Sequence, residues 1–224
     1  MGAPYIFLAG ASRGVGLEIA RCLSQQQYGV KALLRHEAAR TQLEALGITV
    51  AIGDALDVPA VEQAMLGDTP IETVISTIGG LPQDGKRADY LGNRNLIDAA
   101  RKVGAKRFIL ISSIGAGNSA IAIAPHVLET LATVLAEKEK AENHLIASGL
   151  VYTIIRPGGL QSGPATGNGL LTEDPAVAGS IYRADVAQLV CQCLTSERAN
   201  NKVLSAVDRQ MLYGQPVFEE FQLS

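Results

Sequence analysis

Three glycines stand where a chain could meet a phosphate. Gly10, Gly14 and Gly16 lie in Gly10-Ala11-Ser12-Arg13-Gly14-Val15-Gly16, directly after the apolar run Tyr5–Ala9. Without side chains, such a loop turns tightly and brings its backbone close to a pyrophosphate, whose charge faces the N-terminus of the helix that follows. Ser12 adds a hydroxyl donor, and Val15 opens the helix. An ordinary glycine turn shares the spacing; a strand before and a helix after separate the two readings. The second apolar run, Val30–Leu34, ends on Arg35 with Glu37 two residues later. A carboxylate at that point would hold the ribose diol of NAD. A guanidinium instead suits a 2′-phosphate, through paired hydrogen bonds that Arg13 could join. NADP(H) is therefore the expected cofactor. The alternative is a solvated Arg35 paired with Glu37.

Polar and small residues recur at the ends of later apolar runs. Asp54 could accept the adenine amino proton, or close a local turn through its own backbone. Thr77, Ile78 and Gly79, followed by Gly80, should run beneath the adenine-side ribose or form a plain loop. Ser112 and Ser113 end one run, and Pro157, Gly158 and Gly159 end another; both groups should frame a nicotinamide. Between them a long helical segment carries Lys138 and Glu142 in register with Leu131, Leu135 and Leu145, so the two charges can pair on one face. Lys138 could contact the cofactor ribose or lie solvated at the helix edge, near Glu137 and Lys140. Ser113 could donate to substrate or to the nicotinamide amide, or merely close its strand. His126, at the helix start, could donate a proton near neutral pH. Tyr182, before Arg183-Ala184-Asp185, could supply a phenol or an aromatic wall. No metal site is expected.

Short apolar strands alternating with helices must position these residues. Strands are predicted at 5–9, 30–34, 48–52, 71–76, 106–111, 151–155 and 202–207. The first helix carries Val15, Ile19, Cys22 and Leu23 on one face. Further helices are predicted over 36–46 before Gly47, from Asp57 to about Leu66 with Pro59 in its first turn, over 87–103 after a loop at 77–85, over 126–148 before Gly149, and from Asp185 to about Leu194. This alternation implies an α/β fold: a single, doubly wound Rossmann-type parallel sheet covered on both faces, with ligands beyond the strand carboxyl ends. Residues 1–224 read as one domain. Residues 160–182, rich in Gly, Pro, Ser and Thr, read as a small substrate-side lid with little polar code.

Composition narrows the function classes. The 224 residues carry 19 Lys plus Arg and 22 Asp plus Glu, a net charge of −3, so no global field attracts a phosphate backbone and nucleic-acid binding is not expected. At 47% hydrophobic the chain can bury a core, which must be aliphatic because Trp is absent. No apolar stretch reaches the length of a membrane span. Neither a secretory leader nor a myristoylation signal is read at the N-terminus, where position 6 is Ile6. Cys22, Cys191 and Cys193 are too few and too scattered for a disulfide scaffold and read as reduced thiols, so a cytoplasmic location is expected.

The chain also resembles the atypical short-chain dehydrogenase/reductases. The likeness rests on residues 10–16, Asp54, Thr77-Ile78-Gly79, residues 108–113, Lys138-Glu139-Lys140-Ala141-Glu142 and residues 148–158, and covers nearly the whole sequence. Within that superfamily it is most similar to the NAD(P)-binding group of biliverdin reductase B-like flavin reductases and NmrA-like proteins. Familiar members place a catalytic tyrosine four residues before the helix lysine. Lys138 matches the lysine, but Val134 occupies the tyrosine position and cannot protonate an oxyanion. The resemblance therefore implies the chemistry of the flavin and biliverdin reductase-like members, which work without that tyrosine. There, hydride passes to a conjugated electrophile, and solvent or a nearby group supplies the proton.

Three functions are compatible with these residues. One is an NADPH-dependent reductase of flavins, quinones or related planar conjugated molecules. Another is a non-catalytic NADP(H)-binding sensor or assembly factor, with residues 216–223, including Phe218 and Phe221, as a partner surface. The third is a carbonyl reductase whose proton donor is displaced to Tyr182 or His126. Monomer and homodimer are both open.

Overall fold

The computed structural model describes residues 5–67, 69–80 and 87–224. The chain runs β1 (Tyr5–Ala9), α1 (Gly14–Gln25), β2 (Val30–Leu34), α2 (Arg40–Glu44), β3 (Thr49–Ile52), α3 (Val58–Met65), β4 (Ile71–Ser76) and α4 (Leu91–Lys102). It continues through β5 (Arg107–Ile111), α5 (Pro125–Ala147), β6 (Val151–Pro157), β7 (Gly159–Gln161), β8 (Gly169–Thr172), β9 (Ser180–Tyr182), α6 (Arg183–Thr195) and β10 (Lys202–Asp208). Eight strands form one sheet in the order β3-β2-β1-β4-β5-β6-β10-β8, with β7 and β9 paired separately. All neighbours in the large sheet are parallel except β8, which lies antiparallel on β10. Sequence order reverses direction between β1 and β4, which opens a crevice at their carboxyl ends. The observed fold is the doubly wound α/β sheet expected from the alternating pattern.

Strand alternation divides the core into two layers. In β1, Ile6 and Leu8 join α1 and α6 on one face, while Phe7 and Ala9 join α3, α4 and α5 on the other. Local signals place several termini as read. The Asp57 carboxylate accepts from the Ala60 N–H at the start of α3, with Pro59 in the first turn.

Other expectations need correction. The predicted helix over 36–46 is a short 3-10 turn, Glu37–Ala39, followed by the five-residue α2. Only Ala39 and Leu43 are buried there, too few apolar contacts to extend a helix. Helix α4 begins at Leu91 rather than 87, and residues 81–85 of the loop before it lie outside the described residues. Leu131 is 39% exposed, so the apolar register of α5 fails in its first half and resumes at Leu135.

The largest correction concerns 160–182, which is not a free lid. Strand β8 lies within it and closes one edge of the main sheet with Leu170 and Leu171 buried, and Val177 and Ala178 are buried beyond it. The Asp185 carboxylate accepts from the backbone N–H groups of Thr166 and Gly167, pinning the preceding turn. Two adjacent leucines are too short a signal for periodicity, yet they are enough to anchor an edge strand. The terminal segment also folds back: Phe221 packs on the α1–α6 layer and its N–H donates to the Leu171 carbonyl. Phe218 packs on a smaller cluster around Ile114 and Val207. Both rings are half-buried against the domain.

Candidate active site

Beyond the carboxyl ends of β1, β4 and β5 lies a cleft of about 830 Å³. Its floor at one end is the glycine loop between β1 and α1. Gly10 has φ +91°, and its backbone is tied to β4 by the Thr77 hydroxyl, which donates to the carbonyls of Ala9 (3.2 Å) and Gly10 (3.1 Å). A Cβ on Gly16 would overlap the Gly10 carbonyl oxygen, so the first turn of α1 packs directly onto the loop. Gly10, Gly14 and Gly16 therefore leave a loop bare of side chains at those three positions at a helix N-terminus, with Ser12, Arg13 and Val15 also lining the cleft. Arg13 is exposed and makes no ion pair among the described residues.

The adjoining end is bounded by Leu33, Leu34 and Arg35 after β2 and by Asp54 after β3. Arg35 is exposed and donates only to the neighbouring His36 ring, at 3.1 Å. The alternative of an Arg35–Glu37 pair does not form: Glu37 is held by Arg40, leaving the Arg35 guanidinium available to a ligand. Asp54 lines the cleft and also makes the local turn, Oδ1 accepting from the Leu56 N–H at 2.9 Å. Thr77, Ile78, Gly79 and Gly80 run along the same wall.

At the opposite end stand Ser112, Ser113, Lys138 and the apolar Ile111 and Leu160. Ser112 is buried, and its hydroxyl has no hydrogen-bond partner among the described residues. Ser113 donates to the Ile114 carbonyl at 2.9 Å, the strand-closing alternative, while still lining the cleft. Lys138 does not pair with Glu142. Its Nζ lies 3.6 Å from Asp89 Oδ1, whereas Glu142 is taken by Arg156 in a buried bidentate pair of 3.0 and 2.6 Å. Arg156 wins because β6 lies under this turn of α5 and brings a planar fork to the carboxylate. Burial pulls the Lys138 ammonium below the ordinary lysine range, and the Asp89 carboxylate opposes that shift.

Four predicted site residues lie outside this cleft. His126 is exposed on the first turn of α5. Tyr182 packs its ring against Gly163 on the neighbouring surface. Pro157 is buried within the sheet, and Gly158 serves packing, because a Cβ there would overlap the Gly179 carbonyl. Two residues were missed. Arg183 spans the cleft mouth, donating to the Ser162 hydroxyl (2.9 Å) and the Leu160 carbonyl (3.3 Å) beside Gly14. Its sequence signal was the return of 183–185 to the mouth. Asp89 gave no signal, since nothing local marks it as the partner of Lys138.

These features could accommodate a dinucleotide: a glycine loop at a helix N-terminus at one end, a guanidinium and a carboxylate beside it, and a hydroxyl and an ammonium at the far end. Comparison with known proteins agrees. Residues 10–197 match a family described as NAD(P)H-binding. The chain belongs to that NAD(P)H-binding family. Among solved structures it is similar to ChuY, an anaerobillin reductase from Escherichia coli O157:H7, at 33% identity and a TM-score of 0.84, covering 96% of this chain and 100% of that one. It is 30% identical to sanguinarine reductase of Eschscholzia californica, over 88% of this chain and 86% of the relative. It is 34% identical to an uncharacterized chloroplastic protein of Arabidopsis thaliana, over 91% of this chain and 76% of the relative. The NAD(P)H-binding match runs from the glycine loop that follows β1 through α6 and so includes every cleft-lining residue named above.

Proposed function

We propose that this NAD(P)H-binding protein is an NADPH-dependent reductase that delivers hydride to a planar, conjugated small molecule. The observation that carries the reading is the composition of the far end of the cleft. It presents an ammonium, two serine hydroxyls and apolar walls at Ile111 and Leu160, and among the described lining residues no phenol or imidazole. Val134 stands where the helix tyrosine would be, and Tyr182 and His126 lie elsewhere. The bound dihydronicotinamide would supply the hydride. The residues of the chain orient and shield: Ser112 donates or accepts at the nicotinamide end, Lys138 holds the ribose side, and Ile111 and Leu160 exclude water from a flat acceptor. A conjugated acceptor spreads the incoming negative charge over its own atoms, so it needs no phenol fixed at one oxygen. The anaerobillin reductase and the sanguinarine reductase among the similar proteins support an acceptor of this kind.

The test is loss of reduced-nicotinamide absorbance with NADPH and a panel of biliverdin, FMN, quinones and benzophenanthridine alkaloids. Turnover at micromolar acceptor is expected. Tight NADPH binding with no turnover across the panel would instead favour the sensor reading. Cofactor choice is tested at Arg35. Arg35→Ala should weaken NADPH binding by about 10–100-fold, the worth of charge-assisted hydrogen bonds to a phosphate, and leave NADH almost unchanged. An unaltered ratio of the two affinities would remove Arg35 from the 2′-phosphate site.

A further inference from the structure

Asp89 is fully buried, and among the described residues neither of its carboxylate oxygens has a hydrogen-bond partner. A buried carboxylate in that condition is costly unless opposite charge lies close. Two cations supply it: Lys138 Nζ stands 3.6 Å from Oδ1, and Arg87 Nη1 stands 3.7 Å from Oδ2. Both distances suit ion pairs but are long for hydrogen bonds. Among the described residues Lys138 donates no hydrogen bond to protein, and its ammonium lines the cleft.

The surroundings hold this carboxylate in place. Asn93 on α4 donates to the Asp89 carbonyl at 2.7 Å and to the Ile78 carbonyl at 3.3 Å, and it accepts from the Ser76 hydroxyl at the end of β4. A Cβ on Gly79 would stand 2.5 Å from Asp89 Oδ1 and 3.2 Å from Lys138 Nζ, so the bare backbone of Gly79 admits the pair to the cleft wall. Glu142, one turn along α5 from Lys138, is already committed to Arg156.

We propose that Asp89 is a positioning residue for the cofactor: its buried carboxylate holds the Lys138 ammonium at the cleft wall with its donors directed to the nicotinamide-side ribose. The proposal rests on dinucleotide binding in this cleft but not on turnover. A free lysine side chain loses several rotamers when it engages a ligand, and an anchored one has lost them already, which raises affinity without a new contact to the ligand.

Binding measured by calorimetry tests it on the full chain, with NADPH compared with adenosine 2′,5′-bisphosphate, which lacks the nicotinamide ribose. NADH and AMP form the matching pair if the chain prefers the unphosphorylated cofactor. Asp89→Asn should weaken the dinucleotide about tenfold and leave the fragment unchanged, and in the Lys138→Met background it should cost nothing more. Equal weakening of dinucleotide and fragment, or additive losses in the double variant, would assign Asp89 a purely structural role and overturn the proposal. Should Asp89→Asn fail to fold, Lys138→Met alone decides: wild-type dinucleotide affinity in that variant would sink the proposal. Because no reduction is measured, an inactive but nucleotide-binding protein leaves this result readable.

Discussion

Gly16→Ala should reduce NADPH affinity at least about 100-fold and lower stability by about 1–3 kcal/mol, the usual cost of overpacking. The added methyl group would fall on the Gly10 carbonyl oxygen and 2.7 Å from the Thr77 hydroxyl. Backbone cannot swing aside as a flexible side chain can, so α1 must move away from the loop. That displacement removes both halves of the phosphate site together: the converging N–H groups and the helix N-terminus behind them. Gly14→Ala is the control. A Cβ there meets only the Arg183 side chain, at 3.7–3.9 Å, although φ is +58°. Its cost is the backbone penalty of about 1–2 kcal/mol, with a smaller loss of affinity. Calorimetry and urea unfolding measure both quantities. NADPH affinity within about threefold of the parent in folded Gly16→Ala protein would mean that the phosphates do not lie on this loop.

Glu142→Ala should destabilise the protein by about 3–5 kcal/mol, because it strands the Arg156 guanidinium in the interior. For a domain of this size that corresponds to a fall in Tm of roughly 6–20 °C. The pair is almost wholly enclosed, with side-chain exposures of 7% for Arg156 and 3% for Glu142, so solvent screening does little to relieve the loss. Arg156 also donates to Asn118 at 2.6 Å, and its guanidinium lies against Gly117. The pair thereby ties α5 and β6 to the loop that follows Ser112 and Ser113. Replacing both partners, Glu142→Leu with Arg156→Met, should be close to neutral, since the desolvation of two charges is then avoided. A loss below about 1 kcal/mol in Glu142→Ala would show that the pair behaves as an exposed one.

These two sites differ in how readable they are from sequence. Gly10, Gly14 and Gly16 announce themselves because the strand, loop and helix they join are contiguous, and the contact of Gly16 with the Gly10 carbonyl acts between residues six apart. The Asp57 cap and the strand at 71–76 are legible for the same reason: a cap bond closes within three residues, and a central parallel strand is a short, nearly continuous buried run. Arg35 and Asp54 were placed by strand ends alone. In contrast, the partner of Glu142 was misread. Helical spacing offers Lys138, but β6 delivers Arg156 with a geometry that matches a carboxylate better. The strand within 160–182, expected as a small lid, was not legible either, because β8 finds its hydrogen-bond partner in β10, more than thirty residues later.

The amino-acid order alone was enough for the doubly wound sheet, the glycine loop between the first strand and helix, the position of Arg35 at a strand end and the absence of the helix tyrosine at Val134. Each depends on hydrogen bonding, hydrophobic period or side-chain identity within a short span. Folding in three dimensions selected the ion pairs, kept Tyr182, His126, Pro157 and Gly158 out of the cleft, and brought Asp89 beneath Gly79 to meet Lys138. Those outcomes follow from how separate helices and strands pack. A buried charge takes the best-oriented partner that packing presents, and distance along the chain carries no information about which partner that is.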